Sequence, residues 1–309
     1  CLGCMGFGGL KTGNFSWTLN YEKSKPIIDR AIDLGINFFD TADVYSDGKS
    51  EEILGRAIQG RRDDLVIASK VYNPTGPLPN ERGLSTRHIR QEVKRSLGRL
   101  RTRYIDLYQT HRWDYETPIE ETLKALDELV RSRLVNYIGA SSMWAWQFAK
   151  ALYKSDSLGL ERFVSMQNHY NLCYREEELE MIPLCKEEKI ALLPWSPLAR
   201  GFLTGKYGRG ARPAGKRYSR DQLLQARYFR KQDFDVLEET VDVAKEKGAT
   251  VAQVALAWLL HKGATSPIVG VSSVSQLEEL VESTSISLSP HDLKRLEEPY
   301  RRRATEGHV

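Results

Sequence analysis

Leu34-Gly35-Ile36-Asn37-Phe38-Phe39-Asp40-Thr41-Ala42-Asp43-Val44-Tyr45 decides the fold. Gly35 ends an amphipathic run over 24–34, in whose first turn Pro26 is tolerable. A short apolar strand follows at 37–40 and delivers Asp40 to its end, with Tyr45 in the loop beyond. The same order recurs where Leu65-Val66-Ile67-Ala68 leads to Lys70 and Tyr104-Ile105-Asp106-Leu107-Tyr108 leads to His111. Continuous apolar strands between amphipathic helices belong to a parallel sheet covered by helices. The alternation predicts strands over 2–7, 37–40, 65–69, 105–110, 136–140, 163–167, 191–195 and 265–269. Helices are expected over 24–34, 50–59, 86–100, 119–132, 144–153, 176–188, 251–261 and 275–283. Eight β-α units imply an α/β fold, a closed (β/α)8 barrel forming one domain over 1–309. Residues 199–230 lack a sustained apolar period and read as a long loop after strand 7. Residues 233–247 read as an extra helix before barrel helix 7.

Bulk properties narrow the function classes. The chain has 309 residues, 41% hydrophobic and 28% charged, with a formal charge of +4. That charge is too slight to argue for nucleic acid or an anionic membrane, and Arg301-Arg302-Arg303 reads as a solvated basic end. No run of apolar residues is long enough to span a bilayer. Cys1, Cys4, Cys173 and Cys185 suit a reducing, cytoplasmic setting. The Cys1/Cys4 pair has no second pair or nearby His to complete a metal site, and none is expected. The chain opens inside a strand without Met, so residues upstream of Cys1 are expected.

Parallel strands place their C-terminal ends on one rim, so Asp40, Lys70 and His111 should converge there with Tyr45. A tyrosine hydroxyl is a weak acid unless its anion is stabilised. An adjacent Lys70 ammonium, oriented by Asp40, supplies that stabilisation. His111 adds a donor to an oxygen that gains negative charge. Neither Gly-x-Ser-x-Gly nor a thiol beside a base is present. A proton donor without a nucleophile points to carbonyl chemistry in which a bound cofactor delivers hydride.

Phe38-Phe39-Asp40-Thr41-Ala42-Asp43-Val44-Tyr45, Ser69-Lys70 and Tyr108-Gln109-Thr110-His111 resemble the aldo-keto reductase superfamily. So do Gly139-Ala140-Ser141-Ser142, Met166-Gln167-Asn168 and Trp195-Ser196-Pro197-Leu198-Ala199-Arg200-Gly201, in order along nearly the whole chain. The continuation to Phe202-Leu203-Thr204-Gly205-Lys206 resembles the microbial reductases and potassium-channel β subunits. The resemblance implies NADP(H), with NAD(H) possible, lying extended across the barrel mouth without a Rossmann glycine loop. It implies Tyr45 as general acid, supported by Asp40, Lys70 and His111. It implies that Ser141, Ser142 and Gln167 bind the nicotinamide carboxamide and that Trp195 stacks on the nicotinamide ring. Ser196, Leu198, Arg200 and Lys206 follow as cofactor contacts, the last two toward the pyrophosphate, with Gly270, Ser272, Gln276 and Glu279 at the adenosine end.

Two departures from the family pattern stand out. Ser142 replaces an asparagine that many relatives carry. The segment Val269-Gly270-Val271-Ser272-Ser273-Val274-Ser275-Gln276 has no Lys or Arg to grip a 2′-phosphate, and Leu280 replaces an amide. Backbone N–H groups near Ser275 remain available to an anion. Trp17, Trp113 and Trp144, on mouth loops, are expected to wall a pocket for aldehydes or ketones, with 72–85 shaping another side. The expected activity is NAD(P)H-dependent reduction of a small carbonyl substrate to an alcohol. The alternative is a channel-β-subunit-like regulator with slow turnover, and a third reading runs the reaction oxidatively.

Overall fold

The computed structural model describes residues 1–9, 17–210 and 221–308. Its sheet holds seven parallel strands in sequential order: β1 (Leu2–Gly3), β2 (Phe38–Asp40), β3 (Val66–Val71), β4 (Ile105–Thr110), β5 (Val135–Ser141), β6 (Phe163–Gln167) and β7 (Ala191–Leu192). The eighth expected strand, 265–269, forms no ladder yet closes the barrel. Thr265 and Ile268 donate backbone N–H groups to Leu192 and Pro194 carbonyls, each at 2.9 Å. On the other side Gly3 N–H reaches Val269 O at 2.8 Å, and Val269 N–H reaches Cys1 O at 3.0 Å. Pro267 has no N–H to offer, which limits this segment to isolated bonds. The result is a (β/α)8 barrel.

Prolines also shorten β7. It ends at Leu192 rather than 195 because Pro194 cannot donate, although Leu193 and Trp195 still bond to Met166 O and Asn168 O at 2.9 and 2.7 Å. The first strand stops at Gly3, where a 3-10 turn over Cys4–Gly6 replaces the expected extension to residue 7.

Helices α1 (Tyr21–Asp33), α2 (Lys49–Ala57), α3 (Thr86–Leu100), α4 (Ile119–Arg131) and α5 (Ala145–Leu158) match expected positions. Asn20 caps α1, so the helix starts earlier than expected and Pro26 lies beyond its first turn. Helix α6 covers only Met181–Glu187, after a 3-10 turn at Glu176–Glu178. Pro183 cannot bond to residue 179, so no helix can run unbroken from 176; it fits in the first turn instead. Within the expected long loop lie a 3-10 run, Ala199–Thr204, and the short helix α7 (Gln222–Arg227). Then follow α8 (Lys231–Lys247), the expected extra helix, and α9 (Val251–His261), α10 (Val274–Val281) and α11 (Pro290–Glu297).

Helix α11 was not anticipated, although its start carries a signature. Ser289 caps Asp292 N–H at 3.2 Å, Asp292 Oδ2 accepts Ser289 N–H at 2.8 Å, and Pro290 opens the helix. That is a capping box with Pro at the first position. Where α2 crosses α3, a Cβ on Gly55 would stand 2.5 Å from Leu100 O, so the two helices meet only through glycine. Among the described residues no helix is long and apolar enough to cross a membrane.

Candidate active site

Strand periodicity builds the site. Ala68, Leu107, Leu193 and Ile268 form one buried cluster with Phe38 packed against it, a layer filling the barrel interior. Side chains two residues further along a strand share its face. Stepping up from Phe38, Ala68 and Leu107 therefore places Asp40, Lys70 and Gln109 in the next inward layer, with His111 beyond. Register agrees, because Lys70 pairs with Gln109 and Ser141 with Gln167.

These side chains are connected. Lys70, fully buried, donates to Asp40 Oδ1 at 2.5 Å, Thr41 O at 2.8 Å and Tyr45 Oη at 3.4 Å. Asp40 Oδ2 accepts from Gln109 Nε2 at 3.1 Å and Gln167 Nε2 at 3.0 Å. The carboxylate is thus clasped from both sides. Burial, which alone would lower it, is outweighed by Asp40 and Tyr45, so the Lys70 ammonium is held above its ordinary range. The Tyr45 phenol departs from the sequence expectation. Lys70 lowers its pKa, but burial is the larger effect and leaves it above the ordinary tyrosine value.

His111 meets Tyr45 edge-on, ring centroids 5.8 Å apart. Burial, then Lys70 and Arg112, push its pKa well below the ordinary histidine value, so the ring is neutral at physiological pH. Asn73 Nδ2 lies 3.0 Å from His111 Nδ1. An amide nitrogen only donates, so Nδ1 accepts and the ring proton sits on Nε2, free to donate to a ligand.

The second group of expected residues lies beside the first. Ser141 Oγ donates to Gln167 O at 2.9 Å and lies 3.2 Å from Ser142 Oγ, while Trp195 Nε1 donates to Ser142 Oγ at 2.9 Å. One face of Trp195 stacks on His169 at 4.2 Å, and His169 stacks in turn on Tyr174 at 4.0 Å. The Arg227 guanidinium lies 5.1 Å over the Trp195 ring. Ser196, with φ 51°, accepts from Asn171 Nδ2 at 2.9 Å, and half-buried Leu198 packs between the two main cores.

Arg200 is already neutralised. Its Nε bonds both oxygens of Asp221, at 3.0 and 2.8 Å, whereas Lys206 is exposed. Beyond the eighth strand segment, exposed Gly270 precedes Ser272, whose N–H and hydroxyl both donate to Gln276 Oε1 at 2.9 Å. Ser273 caps α10, and Glu279 offers its carbonyl to Gln253. The α10 start is therefore partly closed by its own side chains. Buried Leu280 makes no polar contact there.

Trp113 is buried against exposed Trp146, centroids 6.2 Å apart, and Trp144 sits edge-on to His308 at 4.7 Å. Trp17 is half-buried near Gly6.

The C-terminal basic run divides: Arg301 and Arg302 are exposed as expected, and Arg303 is not. Arg303 is buried, with side-chain exposure of 2%, and pairs with Asp233 at 3.1 Å. His308 pairs with Glu177 at 2.9 Å, and a Cβ on Gly307 would stand 3.4 Å from Trp195. Arg303 is an anchor because Asp233 and Glu176, remote in sequence, and Glu306, three residues on, await it.

Asp43, Glu51 and Glu92 are buried beside partly exposed Arg99 and the buried Tyr108. Arg99 Nε bonds Glu51 at 2.6 Å, whereas both Asp43 carboxyl oxygens lack a partner. Burial, then Glu51 and Glu92, push the Asp43 pKa well above the carboxylate range. A raised folded-state pKa means stability is lost as pH rises above the unfolded value near 4. Asp43→Asn is therefore expected to raise the melting temperature at pH 7.5 and leave it nearly unchanged at pH 4.5. Thermal unfolding at both pH values checks this, and equal effects would rule it out.

The aldo/keto reductase family model matches residues 2–301. Versiconal hemiacetal acetate reductase of Aspergillus parasiticus is 41% identical, covering 97% of this chain and 92% of its own length. The putative aryl-alcohol dehydrogenase AAD16 of Saccharomyces cerevisiae is 38% identical with the same two coverages, 97% and 92%. The aldo-keto reductase dtxS3 of Metarhizium robertsii is also 38% identical, over 97% of this chain and 88% of its own.

Proposed function

Because the chain belongs to the aldo/keto reductase family and is a carbonyl-reducing oxidoreductase, we propose that Tyr45 protonates the carbonyl oxygen of an aldehyde or ketone at a site that binds NADP(H). The observation that carries this is the Asp40–Lys70–Tyr45 relay, with the phenol oxygen 3.4 Å from the ammonium. When bound, the cofactor supplies the hydride. Tyr45 transfers its proton to the oxygen, and Lys70 stabilises the phenolate left behind. His111 Nε2–H points a second donor at the same oxygen. Gln167 ties the proposed carboxamide site to this relay, since its amide nitrogen bonds Asp40 and Gln109.

The residues fit a nicotinamide: Ser141, Ser142 and Gln167 gather beside a flat Trp195 whose edge is pinned. Titration with NADPH should quench Trp195 emission, and a Trp195→Phe control should lose that component. Unchanged emission at saturation counts against stacking. At the adenosine end, the absence of Lys and Arg over 270–280 supports only a modest preference for NADPH over NADH, about tenfold or less in Kd.

The pH profile follows from the two shifted groups. Tyr45 must be protonated to act, and burial holds its pKa up, so activity is lost only as pH rises through that raised value. His111 is already neutral. We expect kcat/KM for aldehyde reduction to be flat from about pH 6 to 9. A limb near 7 would assign the acid to another group. An aldehyde panel assayed with each cofactor tests the whole reading, since a regulator would turn over very slowly.

A further inference from the structure

Arg112 stands beside the proposed reacting centre and, among the described residues, has no acidic partner. It follows His111 at the end of β4, is half-buried, and its Nη1 donates to the His111 carbonyl at 2.6 Å. Burial is the first influence on the guanidinium and lowers its pKa; after it come Tyr45, which raises it, Arg227, which lowers it, and Tyr72. None of these neighbours is a carboxylate. Other partly buried arginines of the fold are paired: Arg62 with Asp106 at 2.6 Å, Arg200 with Asp221 at 2.7 Å, Arg175 with Glu178 at 2.8 Å. Arg227, over Trp195, makes among the described residues a long contact to Glu306, 3.5 Å.

A half-buried cation with only a backbone carbonyl for company is costly, and an incoming anion would relieve that cost. We infer that Arg112 binds an anionic group of the substrate, so that the preferred substrates are aldehydes or ketones carrying a carboxylate. This rests on the reading of Tyr45 and His111 as the carbonyl-binding pair and adds the charge that the rest of the substrate carries. The forked guanidinium suits a carboxylate, and Arg227 adds positive potential on the same side. With the carboxylate held there, the carbonyl is confined near the Tyr45 hydroxyl and His111 Nε2.

The test uses the whole enzyme with NADPH and the 2-, 3- and 4-carboxybenzaldehydes, each beside its methyl ester. The three isomers sample different separations of charge and carbonyl. We expect at least one acid to exceed its ester in kcat/KM by about tenfold or more, chiefly through KM. Arg112→Gln should collapse that ratio to about one while changing ester turnover far less, and Arg112→Lys should restore part of it. Benzoate should compete with the ester in the wild type and much more weakly in Arg112→Gln. Esters reduced as well as every acid would overturn the inference and leave the carbonyl-reductase reading standing. Equal losses for acid and ester in Arg112→Gln would overturn it too, reducing Arg112 to a brace for His111. Failure to reduce any of the six compounds, with either cofactor, would remove the reading and this inference together.

Discussion

Tyr45→Phe should lower carbonyl reduction by about 10²- to 10⁴-fold, the range that a positioned general acid contributes, while the protein folds and binds NADPH as before. The structure explains why the loss should be confined to chemistry. Phenylalanine keeps the ring that meets His111 edge-on and the ring face lying 4.9 Å from Lys70. Lys70 keeps its bonds to Asp40 and the Thr41 carbonyl, so no buried charge is orphaned. Only the hydroxyl disappears. Steady-state kinetics should show kcat collapsing with little change in the Kd of NADPH from fluorescence titration. Turnover within a few-fold of wild type would transfer the acid role elsewhere, and His111 is poorly suited to take it because burial keeps its ring neutral.

Most of the residues proposed for this chemistry are legible because barrel chemistry is written at strand ends. Asp40, Lys70 and His111 each close an apolar run, and a period of two turns that fact into a shared inward face. Their helpers were less legible. Gln109 is simply one more polar residue in Tyr108-Gln109-Thr110, and its bond to Asp40 appears only when β4 lies beside β3. Asn73 fixes the His111 tautomer from a loop, where sequence carries no period. Arg112 is not legible, because an arginine after a strand usually ends in solvent; its lack of a carboxylate partner among the described residues is a fact about three-dimensional neighbours. Short strands were overextended for a local reason, since Pro194 and Pro267 interrupt the ladder while the apolar pattern runs on. Asp43 shows the same limit in reverse: of its neighbours Glu51 follows one loop later and Glu92 is distant in sequence, and nothing in Thr41-Ala42-Asp43 marks a buried carboxyl without a hydrogen-bond partner.

Arg303→Met is expected to destabilise the fold by about 3–5 kcal/mol, the usual cost of leaving one partner of a buried ion pair alone. Arg303 Nη1 reaches Asp233 at 3.1 Å and Cys173 O at 3.0 Å, and Nη2 reaches Glu306 at 3.0 Å and the Arg227 carbonyl. Asp233 is itself 1% exposed on its side chain. Burial already pushes its carboxyl pKa up, and Arg303 is the main influence pulling it down. Without the guanidinium, that carboxyl must take a proton or the tail must lift away. Adding Asp233→Asn to the first variant removes the stranded charge, so the pair should melt at a higher temperature than Arg303→Met alone. If the double variant instead loses the sum of the two single losses, the ion pair is not what anchors the tail. The functional consequence reaches the mouth through packing. Gly307 rests against Trp195, and Tyr174, which Arg303 approaches at 5.9 Å, supports the His169 ring beneath that tryptophan. Lifting the tail should therefore disturb the surface proposed to stack the nicotinamide, raising the Kd of NADPH while the pH profile set by Tyr45 stays in place.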